Sequence, residues 1–454
     1  MLQSLLTFRN LLLHTSLSLL LSLLLSFLRF PSLLLHGLFT YIHPENLGQQ
    51  NGLRAAIRRP GSDPSEPEPR KKTKSKDKFE FDENNAQIFR IKLDPDHLQT
   101  RIYYSEYHSV SVLSFVSLSC VLLQLYLGES VNDGVLASGS LIPVLLGFFA
   151  VSRLFLVLAK VSFEKSASRL SEKRLSLCFG GLGFIAGLMI CSSLLRSVLD
   201  FDCGSIDGFW AVLLAFLMGC LAGLLYMPAL KCARSFWLGT DQIRCNLGLI
   251  SSGWFARTAL YLTCILNIFT ALLWINPFID ILINKKAIDS KAARLSTGSR
   301  VDEKLAGNVG MSSSEFAKFR LYCLLLSGLS QFIALRPNLQ MYLNEAVLSW
   351  YQRLHASRVP DLDFSRAKVF LHNHYACLAV VHYFVPPALV LVFLGLSQIE
   401  GRPLGKFEML CSQQPCFGFF KQVALLLAWW VVFVWSVFTS VTLVLYRRGF
   451  LYVS

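Results

Sequence analysis

Leu175–Leu195 reads LSLCFGGLGFIAGLMICSSLL, and Gly208–Met227 reads GFWAVLLAFLMGCLAGLLYM. Neither stretch holds a charged residue, and each reaches the roughly 20 residues a helix needs to cross a bilayer. A short polar connection, 196–207, makes them antiparallel neighbours. Both carry the G-x-x-x-G spacing, Gly183/Gly187 and Gly219/Gly223, which puts two patches without side chains on one helix face. Lipid supplies no water-driven force between helices, so close backbone approach and van der Waals contact must hold them together. The pattern predicts a tight helical hairpin at the centre of the molecule, with an inter-chain contact through the same faces as the alternative.

The chain around this hairpin has the same character. It is 53% hydrophobic and only 16% charged, with a mean hydropathy of +0.48. A soluble chain could not keep that much apolar surface dry, so this is a multi-pass membrane protein. The net charge of +14 does not imply nucleic acid as a partner, because the basic residues fall in loops between spans, where they act as topology signals. The fold class is an all-α, polytopic helical bundle embedded in the lipid bilayer. It has about nine transmembrane helices plus one or two cytoplasmic amphipathic helices.

Residues 1–29 hold the Leu/Ser run Leu11–Leu28 between Arg9 and Arg29. Its length, and the lack of a small-residue cleavage site after it, favour a retained first span over a cleaved signal peptide. Residues 30–107 form a polar, basic loop whose middle, 48–78, is too polar to fold alone. The cluster RKKTKSK at Arg70–Lys76 resembles a nuclear signal, but beside a membrane span it suits anionic headgroups or a solvated linker. Phe89–Leu93 alternates apolar and basic residues, as a short strand or interfacial segment does. Eight further spans fill 108–445, at 108–127, 139–159, 175–195, 208–227, 254–275, 319–335, 374–396 and 420–445, before a short tail, 446–454. Lys and Arg concentrate in the loops 30–107, 160–174, 228–253 and 336–373 and in the tail. That places the N-terminus outside and the C-terminus in the cytoplasm, in the plasma membrane or the endomembrane system.

Two cytoplasmic segments begin with proline, Pro228-Ala229-Leu230-Lys231 and Pro337-Asn338-Leu339-Gln340. A proline ends one helix and can occupy the first turn of the next. In the second segment Leu339, Leu343, Val347, Trp350 and Leu354 recur near helical spacing; the first offers Leu230, Ala233, Phe236 and Trp237. Both read as amphipathic helices lying in the headgroup layer, touched through Lys231, Arg234, Trp237, Trp350 and Arg353.

No Asp or Glu lies inside the nine spans as bounded above. That weighs against proton-driven antiport, intramembrane aspartyl proteolysis and carboxylate-lined cation conduction. The polar residues at depth are few. Arg153 sits mid-span with no carboxylate evident to pair with it, a candidate anion contact or a snorkelling side chain. Asn267 and Gln124 suit interhelical hydrogen bonding. His372, His374 and His382 cluster near the start of the eighth span, but their spacing is a poor match to metal-ligand geometry. With Arg153 and Asn267, His382 completes the candidate intramembrane polar site. Pro386-Pro387 should kink the same span. Gly328-Leu329-Ser330 lacks the closing glycine of a serine nucleophile motif, and no phosphate loop, H-E-x-x-H or CxxC pair occurs. The reading is therefore of a protein without recognisable enzymatic activity, metal or cofactor. Among twelve cysteines, Cys203, Cys411 and Cys416 fall on the predicted outer face. Cys411 and Cys416 can close a small disulfide loop if that face is oxidising.

Several pieces, taken in order and spacing, resemble the transmembrane protein 161 family over nearly the whole chain. They are His43-Pro44-Glu45 with Leu53-Arg54 before the basic run, Tyr104-Ser105-Glu106-Tyr107, Pro228-Ala229-Leu230-Lys231, Leu273-Trp274 with Pro277, Leu339-Gln340-Met341-Tyr342-Leu343-Asn344, and a last span with Trp429-Trp430. The polar region before the last span is shorter here than in the animal forms. The resemblance implies a polytopic protein without an assigned enzymatic activity. It links animal members to protection against oxidative stress and to regulation of potassium and calcium currents, and carries over no functional residue. The expected role is regulation of other membrane proteins such as channels, ion currents or stress responses. The alternative is a transporter or channel with a pathway near Arg153 and the Pro386-Pro387 kink.

Overall fold

A computed structural model of the chain describes residues 9–42, 54–57, 88–127, 140–164, 170–192, 198–201, 208–244, 253–283, 313–355, 362–399 and 416–451. In order, the elements are α1 (Arg9–Phe27), α2 (Phe30–Leu34), β1 (Phe39–Ile42), β2 (Arg54–Ile57), β3 (Ile88–Lys92), α3 (Pro95–Gln99), α4 (Tyr104–Leu127), α5 (Leu141–Ser162), α6 (Leu170–Cys191), α7 (Phe209–Arg244), α8 (Trp254–Leu272), α9 (Asn276–Ile283), α10 (Ser313–His355), α11 (Leu362–His374), α12 (Ala376–Gln398) and α13 (Cys416–Arg447). Among the described residues nine helices are long and apolar enough to cross a membrane: α1, α4, α5, α6, α7, α8, α10, α12 and α13. Each overlaps one of the nine spans read from the sequence.

The hairpin is α6 against α7, and the glycines are where the two backbones meet. A β-carbon built on Gly183 would lie 2.5 Å from that of Ala222, and one on Gly219 would lie 2.9 Å from the Gly180 carbonyl oxygen. One on Gly187 would lie 2.9 Å from the Ala215 α-carbon, and one on Gly223 would lie 3.1 Å from the Ser176 carbonyl. Ser176 seals the seam by donating its hydroxyl to the Gly223 carbonyl at 2.7 Å. Small residues let the helices approach until backbone touches backbone, as lipid-embedded association requires.

The centre of the bundle is elsewhere. Ala376 through Leu394 of α12 are all buried, wrapped by α4, α5, α10 and α13. α6 keeps Leu177, Leu182 and Ile185 exposed, so the hairpin forms one flank and α12 is the pole. α12 runs helically through Pro386 and Pro387; the close packing around it offsets the missing N–H groups. Two indole N–H groups of α13 tie its apolar face to neighbouring backbones. Trp429 donates to the Ala271 carbonyl at 3.0 Å and Trp430 to the Met218 carbonyl at 2.9 Å.

Pro228 and Pro337 do not end their helices: each lies inside a continuous one. Proline removes one backbone bond, a cost that membrane helices absorb when neighbours hold them on both sides. Past the prolines α7 and α10 pack on each other. Gly239 presses on the Met341 side chain, and Leu339, Leu343 and Val347 are buried in protein rather than laid on headgroups.

Above these extensions sits a three-stranded antiparallel sheet in the order β1-β3-β2. Phe39 pairs with Lys92 and Ile42 with Phe89 across β1 and β3, and β2 reaches into the region read as unfolded, 48–78. β3 is the alternating segment at Phe89–Leu93. At the opposite end of the bundle Leu199 bridges Ile275. There Arg320 binds Asp200 at 2.8 Å and covers the Trp274 ring at 4.3 Å, while Phe201 stacks on Trp274 at 4.4 Å.

Candidate functional site

Polar chemistry concentrates where α7, α10 and α12 meet beneath the sheet. His382 is fully buried, and the Lys231 ammonium lies 3.4 Å from its Nδ1. Lysine can only donate, so Nδ1 accepts and the ring proton sits on Nε2, which has no hydrogen-bond partner among the described residues. Next to this pair, Arg234 binds Glu345 at 2.7 Å. His372 gives its Nδ1 proton to the Lys368 carbonyl at 2.9 Å and points Nε2 at Glu345 from 3.8 Å. The Tyr342 ring stacks on His372 at 4.9 Å. A buried pair of this kind holds only while both partners are present, since a lone buried charge is costly.

One helical turn back on α10, amide side chains take the place of a fourth strand. Gln340 accepts the Phe39 N–H at 2.8 Å and donates to the Phe39 carbonyl at 3.1 Å. Asn373 donates to the Tyr41 carbonyl at 2.5 Å and accepts the Thr40 hydroxyl. The Tyr41 hydroxyl donates to Asn344 at 2.9 Å, and burial pushes the Tyr41 phenol up to about 12. The free edge of β1 is thereby closed, as an exposed strand edge must be.

Deeper in the bundle, Asn267 of α8 accepts from Ser327 at 2.6 Å and from Gln331 at 3.2 Å, both on α10. Thr263 adds a bond to the Ser330 carbonyl at 3.1 Å. Thr263, Asn267 and Gln331 line a small cavity of about 50 Å³ with Asn338, Tyr383 and Thr439. The Gln331 carbonyl oxygen is buried without a partner among the described residues. A few waters fit such a space and would serve that oxygen.

The sequence-read site residues divide accordingly. Asn267 and His382 belong to separate clusters; Tyr383, next to His382 in the chain, lines the Asn267 cavity and shares a hydrogen bond with Ser235 at 3.3 Å. Arg153 lies apart on α5, half-buried, with no ion pair among the described residues. Lys231 and Arg234, read as headgroup contacts, turn inward to His382 and Glu345 instead. Trp237 stacks on Tyr446 at 6.2 Å. The side chains of Trp350, Arg353 and Cys416, and all of Cys203 and Cys411, lie outside the described residues. Gln124 bonds His14 across α1 and α4 at 2.9 Å. Ser330 gives its hydroxyl to the Ser327 carbonyl at 2.9 Å, and no bond joins it to His382.

Sequence reasoning missed Glu345 because it was placed beyond the end of a short span. In the continuous α10 it falls within the apolar stretch Ser314–Leu348, and its partner Arg234 is on another helix. It also missed Gln340, Asn344 and Asn373. The signal available was Gln340 and Asn344 one turn apart on the same helix face, in line with Arg336.

A family model described as predicted transmembrane protein 161AB matches residues 196–409. The match takes in α7 to α12, and with them Lys231, Arg234, Gln340, Glu345 and His382. No curated protein and no solved structure matches the chain.

Proposed function

With the transmembrane protein 161 family as the identity of this multi-pass membrane chain, we propose that it regulates other membrane proteins, and through them ion currents or stress responses, without catalysing a reaction. The observation that supports this is the filled interior. Ala376–Leu394 is buried along its whole length, with the Lys231–His382 contact and one small cavity beside it but no wide, charged passage along the pole among the described residues. A transporter builds its site at mid-membrane from charged or broken-helix elements. The role left to a solid body is to bind. Purification from native membranes with crosslinking should bring down a discrete set of channels or other membrane proteins; recovery of the chain alone would refute the reading.

The second reading is a transporter or channel, with its pathway near Arg153 and Pro386-Pro387. What supports transport is the cavity at Asn267, Gln331 and Tyr383, three residues before Pro386 and apart from Arg153, which sets a few polar groups at depth. Purified protein in liposomes, assayed for potassium, sodium, calcium, chloride and proton flux, separates the two. Flux abolished by Asn267→Leu would establish transport, and no flux for any ion would remove it.

A further inference from the structure

α4 and α10 both lean on α12 and leave a groove of about 990 Å³ between them. Its walls include Leu122 and Leu125 of α4 and Leu325 and Leu329 of α10, all exposed, and its floor includes Leu391 and Leu394 of α12. Two cations mark its ends. Lys318 and Arg336 both line the groove and both are exposed; neither has a carboxylate partner among the described residues. They sit 18 residues apart on one helix, which is about 27 Å at 1.5 Å per residue. That is close to the ~30 Å thickness of bilayer hydrocarbon. The groove therefore runs from one headgroup level to the other, with a positive charge at each.

The charges select the occupant: an apolar trough with an exposed cation at each end matches acyl chains that carry an anionic headgroup. At the sheet end, Arg336 donates one N–H to the His36 carbonyl at 2.7 Å, which fixes the guanidinium and leaves further donors of its fork free. Phe30 and Leu34 of α2 close the groove beside it. A guanidinium held at headgroup depth without a carboxylate partner is suited to a phosphate oxygen pair.

We propose that this groove binds an anionic phospholipid of the leaflet on the sheet side, its acyl chains along α10 and its phosphate on Arg336. Lys318 meets a lipid of the opposite leaflet whose chains occupy the far half. This site is independent of the regulatory reading above.

The test is native mass spectrometry of the full chain purified with phosphatidylglycerol or phosphatidylcholine. The wild type should retain phosphatidylglycerol roughly tenfold better, the scale of one charge-assisted contact. Arg336→Gln should remove that preference, and Arg336→Lys, which keeps the charge but not the fork, should hold an intermediate one. Leu329→Trp, filling the groove, should lower retention of both lipids, and Leu182→Trp on the exposed face of α6 should change neither. A preference unaltered in both Arg336 variants, or retention unaltered in Leu329→Trp, overturns the proposal. Crosslinks from Leu329 to another protein's transmembrane helix would overturn it too.

Discussion

Gly219→Ala tests the hairpin more sharply than deleting a whole helix would. The added carbon would stand 2.9 Å from the Gly180 carbonyl oxygen and 2.9 Å from the Phe184 β-carbon. Neither atom can move aside by changing rotamer, so α6 and α7 must separate by several tenths of an ångström along their seam. Overpacking of this kind costs about 1–3 kcal/mol. The separation also stretches the 2.7 Å bond from Ser176 to the Gly223 carbonyl, worth about 1 kcal/mol. A loss of roughly 2–4 kcal/mol should appear as a lower melting temperature in detergent, read by fluorescence-detected size exclusion. Gly181→Ala is the internal control: its new carbon meets nothing within 4 Å, so it should melt like the wild type or slightly higher, alanine being the better helix former. Gly183→Ala supplies a rescue, because its carbon would fall 2.5 Å from the Ala222 β-carbon. Combined with Ala222→Gly it should recover most of its own loss, a non-additivity expected only of touching residues. Equal melting temperatures for Gly219→Ala and Gly181→Ala would show that the glycines are not the contact.

Three further outcomes follow from the polar groups beneath the sheet. Glu345→Gln removes the carboxylate bound to Arg234 at 2.7 Å and should cost about 3 kcal/mol, whereas Arg234→Met with Glu345→Leu should come near the wild type; a double variant worse than the single one would refute this in the same melting assay. Gln340→Ala strips two bonds from the Phe39 backbone, about 2 kcal/mol together, and should speed hydrogen exchange at β1 while leaving α12 protected. Tyr41, its phenol raised by burial from 10 to about 12, binds its proton more tightly folded than unfolded. Its contribution is therefore full below pH 10 and is lost as pH rises from 10 towards 12; in Tyr41→Phe, accessibility of the sheet to protease should depend less on pH across that window.

The nine spans were legible because hydropathy is a local property, and twenty apolar residues have few other uses. The hairpin was legible for the same reason: Gly183, Gly187, Gly219 and Gly223 announce a close approach within 40 or so residues of chain. Which helix forms the pole was not. A leucine against lipid and a leucine against protein are equally apolar, so Val380 or Leu389 of the buried α12 reads no differently from the exposed Leu182 of α6. The prolines misled in the other direction. Proline at 228 or 337 does cost a backbone bond, but Gly239 on Met341 and Arg234 on Glu345 lie past it and hold the two continued helices together. Those contacts join residues about a hundred apart in sequence, beyond the reach of any local rule. The inward turn of Lys231 and Arg234 is hidden for the same reason.

The positions of the ion pairs bear on what the bundle does. α10 is fastened near its start by Arg320 to Asp200, at the end of the bundle away from the sheet. Near its other end Glu345 is fastened to Arg234, and Gln340 to the backbone of β1. Residues 320 and 345 are 25 positions apart, about 37 Å along one helix. Alternating access needs one end of such a helix to swing out while the other stays closed. A helix latched at both ends, against a pole packed along its whole length, resists that motion at every stage. Its surface can still change what it touches, through the sheet on one side and the apolar groove along α10. That makes a body that holds and biases its neighbours a better fit to these residues than one that opens for cargo.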